Sequence, residues 1–386
     1  MSAERRSKRF RAEEREAPPL RDNSLEKMEH EDPEQDNTIV LPYDVVAIIF
    51  KRLFAKELCN SAMVCRLWQE VAVNELASRV PMISLTRWDD VFRACHTPKF
   101  PHNLTNKPML GLLFSGSNSV PRDCFGKHFP RNCVSLVMNT SGLVLNDREY
   151  ERSPSKVVYA YLPESSGVNV EYIMGKKSQV IHLNKDLEVL SNGDQPHRLS
   201  VIEPMFQGAV DRLKEIKCML LITAENFRHE EKLAELDVIK QNVPVMWGGV
   251  AKKLLVCKRG VNETSGFENV LWIAILIGGP NIKSWSIVIE NDERRNEQIR
   301  ERFADFKKSV QPMKHTVGLM FACVGRGEGM HGLPDVEATI FKETFPDIPL
   351  IGGFGNGEFG FNYDDNRLSR QAHHQYSTSF MILTYN

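Results

Sequence analysis

The sequence predicts an α+β protein, a small three-helix module followed by a larger mixed α/β region. Three observations carry that expectation. Apolar residues recur at helical spacing between Thr38 and Pro81, short apolar runs bounded by turn residues dominate after Pro101, and a strand-helix-strand pattern ending in a Gly-Gly doublet occurs twice.

Length and composition set bounds. A chain of 386 residues suggests about two to three domains, and 42% hydrophobic content supplies a large core. The longest apolar run, "VLWIAILI" (Val270 to Ile277), is strand-sized, and the first residues are charged. The expectation is no transmembrane helix, no secretory signal and no membrane partner. Eight cysteines (Cys59, Cys65, Cys95, Cys124, Cys133, Cys218, Cys257, Cys323) are scattered without a C-x-x-C. That favours reduced thiols in the cytosol or nucleus over disulfides or a zinc site. Residues 1–37 hold eight Lys/Arg and eleven Asp/Glu, a net of −3, which leaves +2 for the rest of a chain whose total is −1. Neither part is a nucleic-acid surface by charge. With few apolar residues the leader reads as a disordered charged tail. Within it "RRSKRFR" is either a nuclear-import signal or a solvated charge run, so the expected location is cytoplasmic and/or nuclear.

The module at 38–85 begins after this tail. Val45, Ile48, Ile49 and Leu53 form one helical stripe, Pro42 suits a first turn and Asp44 complements the helix dipole. Leu58, Ala62 and Cys65 continue the spacing, and Trp68, Val71, Ala72 and Leu76 mark a third helix. Such a unit is too small to bury its apolar surface well and often completes its core on a partner.

Leu41 to Ala72, "LPYDVVAIIFKRLFAKELCNSAMVCRLWQEVA", resembles an F-box: Leu-Pro, an acidic helix start, two apolar helices, then Val64, Cys65, Arg66 and Trp68 in a V-C-R-x-W run. The resemblance implies docking on the adaptor Skp1 and, through it, a cullin-RING core, with Leu41, Pro42, Val45, Ile49, Leu53 and Trp68 making or supporting the contact. The alternative is that Leu41, Pro42 and Trp68 only pack an isolated helical hairpin on the next domain.

Beyond the module, "MLGLLFSG", "NCVSLVMNT", "KVVYAYLP", "VIHLN" and "KCMLLITA" read as strands, and "EEKLAELDVIKQN" as a helix with Leu233, Leu236 and Ile239 inward. "VLWIAILI" and "IKSWSIVIE" read as a strand pair joined at "GGPN". An amphipathic helix capped by Asn291 and Asp292 follows, with Ile299, Phe303, Phe306 and Val310 on one stripe. The segments "CMLLITA…NVPVMWGGV" and "GLMFACV…DIPLIGGF" share strand, helix, x-x-Pro turn and Gly doublet (Gly248–Gly249, Gly352–Gly353), which implies two related β-α-β units with parallel pairing.

Gly355, Gly357 and Gly360 spell G-x-G-x-x-G, but no helix follows and no acidic residue stands about 20 positions on, and neither a dinucleotide nor a P-loop reading holds. No cofactor is expected. A better reading places "CVGRGEG" and "GGFGNGEFG" together beyond the carboxyl ends of strands, where ligands collect. Cys323, Gly325, Arg326, Gly327, Gly353, Asn356, Gly357 and Glu358 are the candidate ligand- or substrate-binding residues: glycines for close backbone approach, Arg326 for a carboxylate, Asn356 and Glu358 for an amine or amide. Equally, the glycines only shape turns while Arg326 pairs with Glu358. Cys323, with His315 and His331 near in sequence, suggests a thiol nucleophile only weakly. A partly exposed thiol activated by Arg326 is the better special role.

"VGLMFACVGRG…PDIPLIGGFGNGEFG" is similar to the C-terminal half of the FIST domain, and "PVMWGGV" to its N-terminal half. This implies a FIST N-like domain at 100–265 and a FIST C-like domain at 266–386. It also implies a non-enzymatic substrate receptor of an SCF (Skp1-cullin-F-box) ubiquitin ligase that recruits proteins for degradation through the FIST region. The alternative is an intracellular sensor of a small amino-acid-like ligand with a protein-docking helical module.

Overall fold

The structure, a computed structural model, describes residues 41–87, 104–116, 130, 133–176, 199–257, 266–363 and 370–386. The charged tail, its basic run and the strand expected at "VIHLN" lie outside them.

The expected three helices are α1 (Tyr43–Phe50), α2 (Ala55–Ser61) and α3 (Arg66–Ser78). Pro42 immediately precedes α1 and Asp44 lies in its first turn, as the dipole favours. The Phe54 N–H donates to Glu57 Oε2 (2.8 Å) to start α2, and Arg79 donates to the carbonyls of Phe50, Lys51 and Leu53 at and just beyond the end of α1. Val46, Phe50, Leu58, Val71 and Ala72 form the module's core. Two expectations change here. α2 stops at Ser61, so Cys65 opens α3 and is exposed. The stripe at Val45, Ile48 and Ile49 faces outward. α1 is apolar nearly all round, so spacing alone does not select the buried side.

After the helices come β1 (Met82–Arg87), β2 (Pro108–Ser115), β3 (Val134–Asn139), β4 (Gly142–Leu145), β5 (Arg148–Tyr150), β6 (Lys156–Pro163) and β7 (Asn169–Lys176). Next are α4 (Leu199–Leu213), β8 (Ile216–Ala224), α5 (Glu230–Ala234), α6 (Asp237–Asn242), β9 (Met246–Ala251), β10 (Lys253–Cys257), β11 (Phe267–Gly278) and β12 (Ile282–Ile289). The last are α7 (Asn296–Ser309), β13 (His315–Cys323), α8 (Glu328–His331), α9 (Val336–Thr344), β14 (Leu350–Gly355), β15 (Glu358–Gly360), β16 (His373–His374) and β17 (Thr378–Tyr385). Among the described residues an eleven-stranded sheet runs β1-β6-β2-β3-β10-β11-β8-β9-β15-β16, with β7 also on β11, and a six-stranded sheet runs β12-β17-β13-β14-β4-β5.

The two sheets pack face to face over a core that includes Leu112, Phe114, Ile275, Trp247, Phe321 and Met381. Phe206, Leu233 and Ile239 from α4, α5 and α6 cover the outer face of the first sheet, and Ile299, Phe303, Phe306 and Phe341 from α7 and α9 cover that of the second. Burying apolar faces on both sides stabilises by about 25 cal/mol per Å², which is why the central strands read as continuous apolar runs. The predicted α+β architecture is what the structure shows.

The repeated β-α-β units are present. β8 pairs parallel with β9, and β13 parallel with β14. Their glycine doublets lie within the second strand of each unit rather than in loops. Gly248 sits opposite Leu221, and Gly352 opposite Met320, and a Cβ at either would land on that neighbour's carbonyl. Close strand approach therefore demands glycine at the same place in both units.

Other expectations are corrected. "EEKLAELDVIKQN" breaks into α5 and α6 at Leu236, although Leu233, Leu236 and Ile239 are inward as expected. β11 and β12 do not pair; past "GGPN" the chain changes sheet, and β12 pairs with β17. α7 starts at Asn296 with the Arg295 N–H on Gln298 Oε1 (3.3 Å), so Asn291 and Asp292 lie upstream of it. The sheets do not divide at 265/266: β11 and β15 belong to the first, β4 and β5 to the second. From Pro42 to Asn386 the chain is one compact unit.

Candidate functional site

Two surfaces hold the predicted site residues. The first is α1. Val45, Ile48 and Ile49 are 39, 65 and 45% exposed on a helix of eight residues, and Leu41 and Phe54 are exposed too. Leu53 and Trp68 are half-buried against the module's core, with the Trp68 ring edge-on to Phe50 at 5.4 Å. Trp68 therefore shapes the helix from behind, while Val45 and Ile49 face solvent. Ile48, absent from the predicted contact residues, is the most exposed of the stripe.

The second surface forms where the carboxyl ends of the parallel pairs converge. Val324 N–H donates to Gly355 O (2.8 Å), joining the two Gly-rich segments as expected. Val250 N–H donates to Gly357 O (2.9 Å) and Asn356 N–H to Val250 O (3.1 Å), which ties one β-α-β unit to the other. Val324 (44%) and Tyr376 (56%) are exposed there, with the Tyr376 ring beside Gly325. Tyr376 has φ of 57°, a left-handed conformation unfavourable for a non-glycine residue. Asn356 is exposed and donates to Glu225 Oε1 (2.6 Å). Glu225 lies on the rim of a half-open cleft of about 470 Å³, with Asn226, Lys252, Lys253 and Asn269 around it and Ala224, Leu254, Val270 and Leu271 beneath.

Arg326 departs from expectation. It is buried, its Nε and Nη2 each lie 2.6 Å from Glu337 Oε1, and it donates to the carbonyls of Glu290, Tyr376 and Glu293 (2.9, 3.1 and 3.1 Å). Its partner is Glu337, not Glu358, and its donors are turned inward rather than toward a ligand carboxylate. Burial would raise the Glu337 carboxyl, but the Arg326 charge and the His331 bond (2.9 Å) outweigh it and hold it below the usual range. Arg326 thus fixes the backbone that poses Tyr376. Gly327 has φ of 73° and crowds the Glu151 carboxylate, which accepts the Glu328 N–H (2.6 Å), so glycine is required there.

Cys323 is also corrected. It is buried, and burial followed by the nearby Glu358 push its thiol above the ordinary value, so Arg326 does not activate it. His315 lies at the far end of β13 and His331 on Glu337, so neither accompanies the thiol as a base. Gly353 is mid-strand against Thr140.

Glu358 is fully buried. Its Oε2 accepts from Ser377 N–H and Oγ (3.2 and 2.8 Å), while Oε1 has no protein partner. Burial pushes the carboxyl up to about 8, against the Ser377 and Gly357 bonds. It is held as the neutral acid at pH 7. Nearby His374 contacts Glu290 Oε1 (3.2 Å) and Gly360 O (3.2 Å). Burial opposes its charge, but these partners raise its pKa overall. A carboxyl raised on folding favours the native state when protonated. Its contribution is therefore present at low pH and lost as pH climbs toward 8, by roughly 3 kcal/mol at pH 7. Glu358→Gln mimics the neutral acid. Urea unfolding at pH 5 and pH 8 is expected to show the variant's gain over the parent growing by about 3–4 kcal/mol between the two. Equal pH slopes would contradict this.

Among the described residues no cluster of His, Cys, Asp or Glu has metal-binding geometry, and no helix is long and apolar enough to cross a membrane.

A family model described as F-box-like matches residues 39–80, and one for the FIST C domain matches residues 288–361. F-box only protein 22 from Homo sapiens and from Pongo abelii are each 25% identical over 364 residues, covering 82% of this chain and 84% of the relative. A crystal structure of cyanuric acid hydrolase from A. caulinodans aligns with 80% of this chain and 99% of its own, at 8% identity and a TM-score of 0.33, too low to bear on function. Residues 39–80 of this chain are therefore similar to the F-box-like family and residues 288–361 to the FIST C domain, and along most of its length the chain is similar to F-box only protein 22.

Proposed function

We propose that this chain is the substrate-recognition subunit of an SCF ubiquitin ligase: the F-box-like helices hold Skp1 and its cullin-RING core, and the strand-end surface holds the protein to be ubiquitinated. The observation that carries the reading is the outward apolar face of α1, with Val45, Ile48 and Ile49 in solvent on a helix whose other side is already buried. Contiguous exposed apolar residues mark interaction sites. The chain performs no bond chemistry; tethering raises the effective concentration of substrate lysines near a charged E2. It works in the cytoplasm, the nucleus or both. Affinity capture of the full chain from cells is expected to recover Skp1 and a cullin together, and a chain lacking residues 42–80 to retain the substrate while losing both. Recovery of neither by the full chain would reject the reading.

The cleft beside Asn356 favours a second reading, a sensor of a small amino-acid-like ligand. Its volume is in the range of ligand sites, and its rim carries ammonium, carboxylate and amide groups above an apolar floor. Under that reading a free amino acid shifts the thermal transition upward, and no cullin is captured.

A further inference from the structure

The helical module is fastened to both sheets at several independent points. α3 leads into β1, which pairs with β6 over six residues, Met82 opposite Tyr161 through Arg87 opposite Lys156. Asn106, wholly buried, donates through Nδ2 to Val80 O and Tyr161 O, both at 3.0 Å, joining the chain just after α3 to β6, the strand beside the edge of the first sheet. The Ala55 N–H at the start of α2 donates to Leu104 O (2.8 Å). On the second sheet, Lys314 Nζ donates to Ala77 O in the last turn of α3 (2.7 Å), and buried His315 also bonds Ala77. Burial, reinforced by Lys314, lowers the His315 pKa and keeps the ring neutral.

Lys314 and His315 stand at the amino end of β13; Cys323 and Val324, beside the strand-end surface, stand at its carboxyl end. A nine-residue strand is about 30 Å long. β13 lies inside its sheet, hydrogen-bonded to β17 on one side and β14 on the other along most of that length. The helical module and the candidate recognition surface are thus attached to opposite ends of one buried strand.

We infer that β13 is a rigid ruler between the two surfaces and that Asn106 and Lys314 are positioning residues, which fix the angle at which the helical module leaves the sheets. The functional meaning of the ruler rests on the ligase reading, but its rigidity does not. A buried Asn bridging two carbonyls resists rotation because swinging the module away would leave both carbonyls and the amide unpaired. Lys314 supplies a second attachment on the other sheet, so that no single bond serves as a hinge.

The test is a distance distribution by double electron–electron resonance. Nitroxide labels go on Cys59, exposed on α2, and at Asn356→Cys, exposed at the strand ends, in the full chain with Cys65, Cys95 and Cys124 replaced by Ser. One narrow peak is expected. Asn106→Ala with Lys314→Met is expected to at least double its width while a single cooperative unfolding transition and Skp1 affinity persist. Lys314→Met alone, at an exposed residue, broadens it measurably even if the double variant fails to fold. A broad or bimodal distribution in the parent overturns the inference, as does an unchanged width in the Lys314→Met variant. Skp1 titrated into the same samples separates the two claims. A narrow peak without Skp1 binding removes the ligase reading and leaves the ruler. Skp1 binding with a broad peak removes the ruler alone.

Discussion

Replacing Arg326 with Met is expected to destabilise the protein by about 3–5 kcal/mol, measured by denaturant unfolding at pH 7. The guanidinium is almost wholly buried and holds four partners: the Glu337 carboxylate and the carbonyls of Glu290, Glu293 and Tyr376. Deletion leaves Glu337 buried without its countercharge, supported by the His331 and Thr378 bonds, so its carboxyl rises toward the neutral acid. Three carbonyls from two turns lose a donor at the same time. The backbone at Tyr376, strained at φ of 57°, loses the bond that holds its carbonyl, and the exposed ring over Gly325 loses its pose. Adding Glu337→Gln to Arg326→Met is expected to recover a substantial part of the loss, because it removes the orphaned charge. A loss below 1 kcal/mol for the single variant would contradict this account.

How much of this was legible in the sequence follows from the reach of each signal. Local periodicity exposes the three helices and both β-α-β units, since Ile299, Phe303 and Phe306 or the twin Gly doublets mark themselves within a short window. α4 escapes such a reading because Pro204 and Gly208 break its helical appearance, although Phe206, Ala209 and Leu213 are buried at helical spacing and Phe206 stacks on Trp272 at 6.0 Å. Sheet membership is a non-local property: "GGPN" marks a turn but not that β12 leaves β11 for β17. The strand-end site was legible as a place, since parallel strands put their carboxyl ends together, but not in its chemistry. That Arg326 finds Glu337, and that Glu358 points into the interior, depends on side-chain directions that residue type does not encode. Lys252, Lys253 and Asn269 at the cleft carried no motif, because their neighbourhood exists only once β8, β10 and β11 lie side by side.

Ile48→Asp combined with Ile49→Asp is expected to weaken Skp1 binding by about 100-fold or more, equivalent to ~3 kcal/mol. Both side chains are exposed, so the transition temperature should move by no more than about 2 °C. Val46→Asp, two residues before Ile48 but buried on Phe50 and Leu58, should unfold the module instead. This contrast separates the docking stripe from the packing stripe of the same helix. The decisive comparison is a calorimetric titration of purified Skp1 into the full chain and into the Ile48→Asp/Ile49→Asp variant. Saturable binding to the first and none detectable to the second are expected, at unchanged thermal stability. Equal affinity for both chains, or no binding to the unsubstituted one, would contradict that expectation.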